Sequence, residues 1–255
     1  MTLLKTKNLG VSIAGKIICK DLNLEIEPGQ CWGMLGKNGS GKTTLLHTLA
    51  GLREKDSGSI YLEDQPIDTL KRKDIARKLG ILFQDSSDPF PSTVLETALI
   101  GRHPHLSTWQ WENTKDKSIA LQALMDVELN NMEARQVTTL SGGERRRLAM
   151  ATLLTQNPDI ALLDEPTNHL DLHHQMSVLQ LLKDKILEKN KALVMSLHDI
   201  NLATRFCTHI ILLYDGKQLL HGPVDEMLTI SNLEQVFDHP MQIIQHESGV
   251  AYLPK

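Results

Sequence analysis

Cysteine, aromatic residues and long apolar runs are all scarce in this chain of 255 residues, and each shortage excludes something. Three cysteines occur, Cys19, Cys31 and Cys207, far apart and without a CxxC pair. An odd, scattered set makes no disulfide framework and fits a reducing compartment. Phe, Trp and Tyr make up 4% of the residues, too few for a stacking platform on single-stranded nucleic acid. Apolar runs are short, as at 210–214, whereas a spanning helix needs about 20 such residues. The N-terminal MTLLKTKNLGVSIAGK holds no stretch of signal-peptide length. A charge excess is missing too: 27 Lys+Arg against 31 Asp+Glu leaves −4, with no global attraction to nucleic acid. A soluble, cytoplasmic chain is expected, serving any membrane through a partner.

What remains is an ordinary globular composition, 41% apolar and 23% charged. At about 150 residues per domain the length allows one to two domains. Five apolar runs fit buried parallel strands: Cys31–Leu35, Gly80–Phe83, Ile160–Leu163, Ala192–Leu197 and Ile210–Tyr214. Helix-period stretches alternate with them, which predicts an α/β fold with a parallel sheet. All but the last run straight into polar or glycine-rich residues, at the edge where open α/β sheets hold ligands. The alternation over Leu22–Ile26, the turn at Pro28-Gly29 and a short run at Ser59–Leu62 predict a small, partly antiparallel sheet beside it. From about 93 to 156 the signal is helical, with Leu121, Leu124 and Met125 at helix spacing. That stretch is expected to be an inserted helical subdomain.

Gly36-Lys37-Asn38-Gly39-Ser40-Gly41-Lys42-Thr43 matches GxxxxGK[ST]. It follows the strand 31–35 and opens a helix with Leu45, Leu46, Leu49 and Leu52 on one face, the context the motif requires. Gly36, Gly39 and Gly41 let the backbone of this loop, with Asn38, Ser40 and Thr44, curl so that its N–H groups point at phosphate oxygens. The helix N-terminus adds partial positive charge. Lys42 is placed to reach the β- and γ-phosphates, and the Thr43 hydroxyl to ligate Mg²⁺. By background frequencies a chance match in such a chain is on the order of 1%, so the motif reads as a nucleoside triphosphate site.

Leu140-Ser141-Gly142-Gly143-Glu144 opens a second helix, from Arg145 to about Thr155. Ser141 and Glu144 form an S-x-x-E capping box, which needs no function. The two glycines between them cost helix propensity and bare the backbone for a ligand, so both readings stand. Farther on, Ile160–Leu163 ends in Asp164-Glu165. Asp164 is placed to hold Mg²⁺ or its water shell, and Glu165 to orient or activate an attacking water. An ordinary strand ending in a polar turn explains either carboxylate, but not the pair in this company.

In these motifs and their order the chain resembles the ATP-binding cassette family over nearly all its length. Walker A is residues 36–43, the signature Leu140–Glu144 and Walker B Ile160–Glu165. Gln84, at the end of Gly-Ile-Leu-Phe-Gln, matches the glutamine loop. Leu170-Asp171 matches the D-loop, and His198 in Ser-Leu-His-Asp the switch histidine. Small-molecule kinases lack the signature. Repair and chromosome-cohesion ATPases separate it from Walker A by hundreds of coiled-coil residues, where this chain has about a hundred between Gly41 and Ser141.

The resemblance implies a P-loop NTPase (RecA-like) core with a small antiparallel β subdomain and an inserted helical subdomain, taking ATP and Mg²⁺. Its expected division is one domain over 1–255: a nucleotide-binding core with the β subdomain at about 1–92 and 157–255, and a helical signature subdomain at about 93–156. It further implies that two copies sandwich two ATP molecules. Each nucleotide would lie between one chain's Walker A loop and the other's Ser141, Gly142, Gly143 and Glu144, with Asp171 in the D-loop beside them. His198 would hydrogen-bond the γ-phosphate. Gln84 would contact Mg²⁺ or water and join the core to the helical subdomain. Where the family often stacks an aromatic residue on adenine, this chain has Ile13, which keeps apolar contact and loses stacking.

The segment Leu95–His105 resembles the one that follows the glutamine loop in importers of ferric siderophores, haem and vitamin B12, where the permease docks. His221–Thr229 resembles the same group, and His103–Glu112 leans toward cobalamin, against an exposed loop with a helix start at Ser107. The chain ends soon after the cassette, as expected of a separate subunit. The expected role is the ATP-hydrolysing subunit of a binding-protein-dependent importer for vitamin B12, haem or ferric siderophore. A homodimer would sit on integral-membrane permease subunits at the cytoplasmic face of the inner (plasma) membrane, with a periplasmic or surface binding protein as indirect partner and no nucleic acid. The alternatives are the ATPase of a two-component exporter and a non-transport cassette ATPase acting on ribosomes or DNA. Two further patterns carry no site, the histidines being expected at the dimer interface or the surface. His169, His173 and His174, beside the D-loop, have no third ligand of fixed spacing. Arg145-Arg146-Arg147 diverge around a helix and read as a solvated face.

Overall fold

Runs in which every residue is apolar have to be covered on both sides, and this chain meets that demand with a six-stranded sheet between two cores. The computed structural model describes all residues except 1, 85–90, 108, 169, 188–189, 215–218 and 247–248, and it leaves the side chains of 186, 187 and 246 undescribed. With strands numbered in chain order, the sheet runs β11 (Leu220–Pro223), β10 (His209–Leu213), β4 (Cys31–Gly36), β9 (Ala192–Ser196), β8 (Ile160–Leu163), β7 (Leu79–Leu82). All pairs are parallel except β10–β11. The five parallel strands are the five predicted runs, within two residues at each end. Strand alternation splits them between the cores: Leu35, Ala161, Leu163, Leu193, Met195 and Leu212 face one side, and Met34, Ile160, Leu162, Val194, Ile211 and Leu213 the other.

The second core is closed by helix α1 (Lys42–Leu49), helix α2 (Arg72–Lys78) and a small antiparallel sheet. In that sheet β1 (Leu4–Ile13) pairs with β2 (Lys16–Leu22), β3 (Glu25–Ile26) and β5 (Ser57–Leu62), and β5 with β6 (Gln65–Pro66). Ala14 (φ 48°) and Gly15 (φ 80°) form the two-residue turn between β1 and β2, both positive as a tight hairpin demands. The alternating run over 22–26 is broken between β2 and β3. Asn23 turns its side chain to the backbone there, accepting from Asn8 N at 3.0 Å and donating to Asp21 O at 2.9 Å. On α1, Leu45, Leu46 and Leu49 are buried as expected, whereas Leu52 lies beyond the helix end and is 51% exposed.

Between β7 and β8 the described elements are helical: α3 (Val94–Leu99), α4 (Thr114–Asp126) and α5 (Gly142–Gln156), with short 3₁₀ turns at Ile100–His105 and Val137–Thr139. Thr93, Asn113 and Ser141 each open an α-helix through a reciprocal capping box. Helix α4 starts at Thr114 rather than Ser107, because Asn113 supplies the cap. Its buried face is Ala120, Ala123 and Leu124; Leu121 and Met125 turn outward at 38% and 58% exposure. The two alanines let α4 lie close against α5.

The remaining helices, α6 (Leu172–Leu187), α7 (Ile200–Phe206), α8 (Val224–Met227) and α9 (Ile230–Phe237), complete the first core. A hairpin of β12 (Met241–His246) and β13 (Gly249–Pro254), which the sequence reading had not placed, closes the described structure. It is pinned where Tyr252 N donates to Asn201 Oδ1 at 2.8 Å and Tyr252 Oη to Leu228 O at 2.7 Å. Among the described residues no helix is long and apolar enough to cross a membrane.

Candidate active site

Parallel strands end together, and here β4, β7, β8 and β9 deliver their next residues to one edge. Gly36 to Gly41 leave β4 as a loop, with Gly39 and Gly41 at φ 73° and 101°. At Gly41 a Cβ would also lie 2.6 Å from Ile18 Cδ1, so both backbone and packing require glycine. The β1–β2 hairpin clasps this loop from outside, Lys16 Nζ donating to Gly39 O at 2.9 Å. Lys42, the first residue of α1, is buried, and its ammonium folds back onto Gly36 O at 2.8 Å and Lys37 O at 3.2 Å. Burial pulls its pKa below the ordinary lysine range, and the charges of Glu165 and Asp164 push it back up.

The loop is one wall of a cleft of ≈ 440 Å³ lined by Ile13, residues 38–44, Gln84, Glu165 and His198. Thus residues from sequence positions as distant as 13 and 198 line one cleft. Asp164, at the end of β8, has no solvent exposure. Its Oδ1 accepts from Ser196 Oγ at 2.7 Å, while Oδ2 has no hydrogen-bond partner among the described residues. A buried carboxylate oxygen without a donor is unfavourable unless a cation meets it. Thr43 and Gln84 line the cleft next to which Asp164 is buried, and the hard oxygens of this set suit Mg²⁺.

Glu165 is held on three sides. Its backbone is left-handed at φ 48°, and its amide donates to Ser196 Oγ at 2.8 Å. Oε1 accepts from His198 Nε2 at 2.6 Å, and Oε2 accepts from Gln84 Nε2 at 2.9 Å and from Asn168 Nδ2. Sequence reasoning missed Asn168 and Ser196. Asn168 sits three residues past Glu165, within one turn. Ser196 is the lone polar residue of the buried strand Ala-Leu-Val-Met-Ser, a signal that was there to be used.

The expectation of a solvated Arg145–Arg147 face fails at Arg146, which is 6% exposed. It lies four and seven residues before Met150 and Leu153, on the helix face that enters the core. Its guanidinium reaches the carbonyls of Phe83, Gln84, Asp164, Glu165 and Pro166. Arg145 is engaged as well, donating to Leu140 O and Thr138 O.

At the signature the capping box is real: Glu144 N donates to Ser141 Oγ at 3.2 Å and Ser141 N to Glu144 Oε2 at 2.7 Å. That second bond, with Arg135 behind it, holds the Glu144 carboxyl below its ordinary pKa. Gly142 has open space where a side chain would stand. Ser141, Gly142, Gly143 and Glu144 do not line the cleft of their own chain, and neither does Asp171. The exposed Asp171 carboxylate accepts from His174 N and Nδ1 at 2.9 Å, and the backbone bond first of all lowers its pKa. His173 and His174 stand edge to face with ring centroids 5.6 Å apart; His169 lies outside the described residues.

This geometry defines a nucleotide-hydrolysing cassette, and comparison with known proteins agrees. Residues 19–168 match the ABC transporter family, and the chain belongs to that family as an ATP-binding ATPase. It is 36% identical over 244 residues to the iron(3+)-hydroxamate import ATP-binding protein of Bacillus subtilis (strain 168), an alignment covering 96% of this chain and 91% of that protein. It is 33% identical over 235 residues to the cobalamin import ATP-binding protein of Halobacterium salinarum, covering 92% of this chain and 58% of that one. Among solved structures, a transporter assigned to the metal-chelate type, in an inward-facing conformation, superposes with a TM-score of 0.86 at 30% identity, over 100% of this chain and 98% of that one. A bacterial ABC transporter cassette solved as a dimer gives 0.75 at 30% identity, over 87% and 98%.

Ser196→Ala removes the hydroxyl that serves both Asp164 and Glu165. It is expected to destabilise the fold by about 1–3 kcal/mol, read by equilibrium urea unfolding, and to lower ATP turnover.

Proposed function

We propose that this chain is the ATP-hydrolysing subunit of an importer for a metal chelate or a corrinoid, working as a pair of copies docked on a membrane permease at its cytoplasmic face. The observation that carries the paired reading is the incompleteness of the cleft. It gathers Lys42, Gln84, Glu165 and His198, while the exposed Gly142 backbone at the N-terminus of α5 stands outside it. A helix N-terminus with bare N–H groups suits an anion, and the γ-phosphate held by a second copy is the anion of the right chemistry. The names of the hydroxamate and cobalamin import relatives support the importer role. The helical stretch 93–156 is read as the subdomain that carries the signature. The permease is assigned to the segment 84–111, part of which lies outside the described residues.

Thr43, Asp164 and Gln84 would hold Mg²⁺, which neutralises phosphate charge when bound. Lys42 exchanges the carbonyls of Gly36 and Lys37 for phosphate oxygens, a stronger, charge-assisted pairing. Glu165 orients the attacking water and takes its proton. For this its carboxylate must shed at least one of the donors that now occupy it. His198, already at Glu165 Oε1, is the group that a γ-phosphate draws away, so nucleotide binding itself frees the base. Ile13 gives the purine an apolar contact at the cleft mouth.

Glu165→Gln is expected to bind ATP with unchanged affinity, lose turnover by a factor on the order of 10² or more, and accumulate as a dimer on size exclusion with ATP. Near-wild-type hydrolysis would overturn the role given to Glu165. Lys42→Ala is expected to weaken ATP binding about tenfold or more, read by titration with a fluorescent analogue. Cells lacking the chain should lose uptake of labelled cobalamin or of a ferric hydroxamate, regained with wild type and not with Glu165→Gln; retention of both uptakes, and of haem uptake, would overturn the importer reading.

A further inference from the structure

A guanidinium carries five N–H donors in one rigid plane. At Arg146 they meet five backbone carbonyls: Nε donates to Pro166 O at 3.2 Å, Nη1 to Phe83 O and to Gln84 O at 3.2 Å, and Nη2 to Asp164 O and Glu165 O at 2.6 Å each. The acceptors come from two different strand ends, β7 and β8, and the donor from a third element, α5. Arg146 lies about 7.5 Å along the helix axis from Ser141. One buried side chain therefore joins the signature helix to the backbone of Gln84 and of both Walker B carboxylates.

We infer that Arg146 is a positioning residue, through which α5 sets the pose of Gln84 and Glu165. The Glu165 amide is already fixed by Ser196, so once its carbonyl is fixed as well, its side chain can leave the peptide in few directions. Gln84 is tied by its carbonyl to the same fork, and its amide reaches the same Glu165 carboxylate. A displacement of α5 must either break a shared set of hydrogen bonds or carry both residues with it. This inference rests on the reading that Glu165 acts on water and that the signature meets the partner copy's nucleotide. On that reading, a phosphate arriving at Ser141–Gly143 is felt at the chain's own Glu165, and Arg146 links the two nucleotide sites. Lysine cannot replace it, having three donors on one flexible point.

The test compares full-length wild type, Glu165→Gln, Arg146→Lys and Arg146→Gln, at chain concentrations high enough to pair. The readouts are melting temperature, affinity for a fluorescent ATP analogue, and kcat and KM for ATP per folded chain. Affinity in both Arg146 variants is expected to stay within about threefold of wild type while kcat falls about tenfold or more, with lysine retaining more turnover than glutamine. A purely structural arginine would lower the melting temperature and leave kcat per folded chain within about twofold of wild type, and that result overturns the inference. Loss of affinity and kcat together overturns it as well. If lysine prevents folding, Arg146→Gln, shorter and neutral, decides by the same criterion. Wild-type turnover no greater than that of Glu165→Gln would sink the ATPase reading itself, an outcome distinct from unchanged Arg146 variants beside an active wild type.

Discussion

Polar groups delivered into a protein interior need partners, and the parallel sheet of this chain delivers several at one edge. Past β7 and β8 the carbonyls of Phe83, Gln84, Asp164, Glu165 and Pro166 point where strand pairing no longer serves them. An unpartnered buried carbonyl costs as much as a lost hydrogen bond. The guanidinium of Arg146 answers all five. That one set of bonds ties α5, which carries the signature at its exposed N-terminus, to the backbone of the Walker B pair. Helix α5 is packed below by Leu148, Met150 and Leu153, but apolar packing alone tolerates sliding. A planar fork of hydrogen bonds does not.

The same edge divides its two carboxylates by environment. Asp164 is fully buried, oriented by one hydroxyl, and keeps one oxygen available for a cation. Glu165, its neighbour, lines the cleft and has both oxygens occupied by side-chain donors. Beyond the end of β8 the backbone turns left-handed at Glu165 (φ 48°), and its carboxylate lines the cleft while that of Asp164 stays buried.

Much of this was legible in the residues. Strands covered on both faces read as unbroken apolar runs, which is why β4, β7, β8, β9 and β10 were found within two residues. The phosphate loop was legible because its glycines carry a spacing that backbone geometry requires, as the φ of Gly41 and its contact with Ile18 attest. Hydrophobic periodicity carries no information on polar satisfaction across long sequence separations. Arg146 meets acceptors up to 63 residues away, and Ser196 serves groups more than 30 residues away. In α4 the helical spacing was right, but of Leu121, Leu124 and Met125 only Leu124 is buried, and the small Ala120 and Ala123 make up the rest of the buried face. The β12–β13 hairpin was missed because little of it enters the core.

The three donors on the Glu165 carboxylate have a consequence for a cell that holds many copies of this chain. A base whose lone pairs are engaged by His198, Gln84 and Asn168 is poorly disposed to draw a proton from stray water. On the function proposed above, a copy without its partner and permease therefore idles with the brake applied, and little ATP is burned without transport. On that reading two of the three, His198 and Gln84, are the side chains that later meet phosphate and metal, so releasing the brake and arming the site are one event.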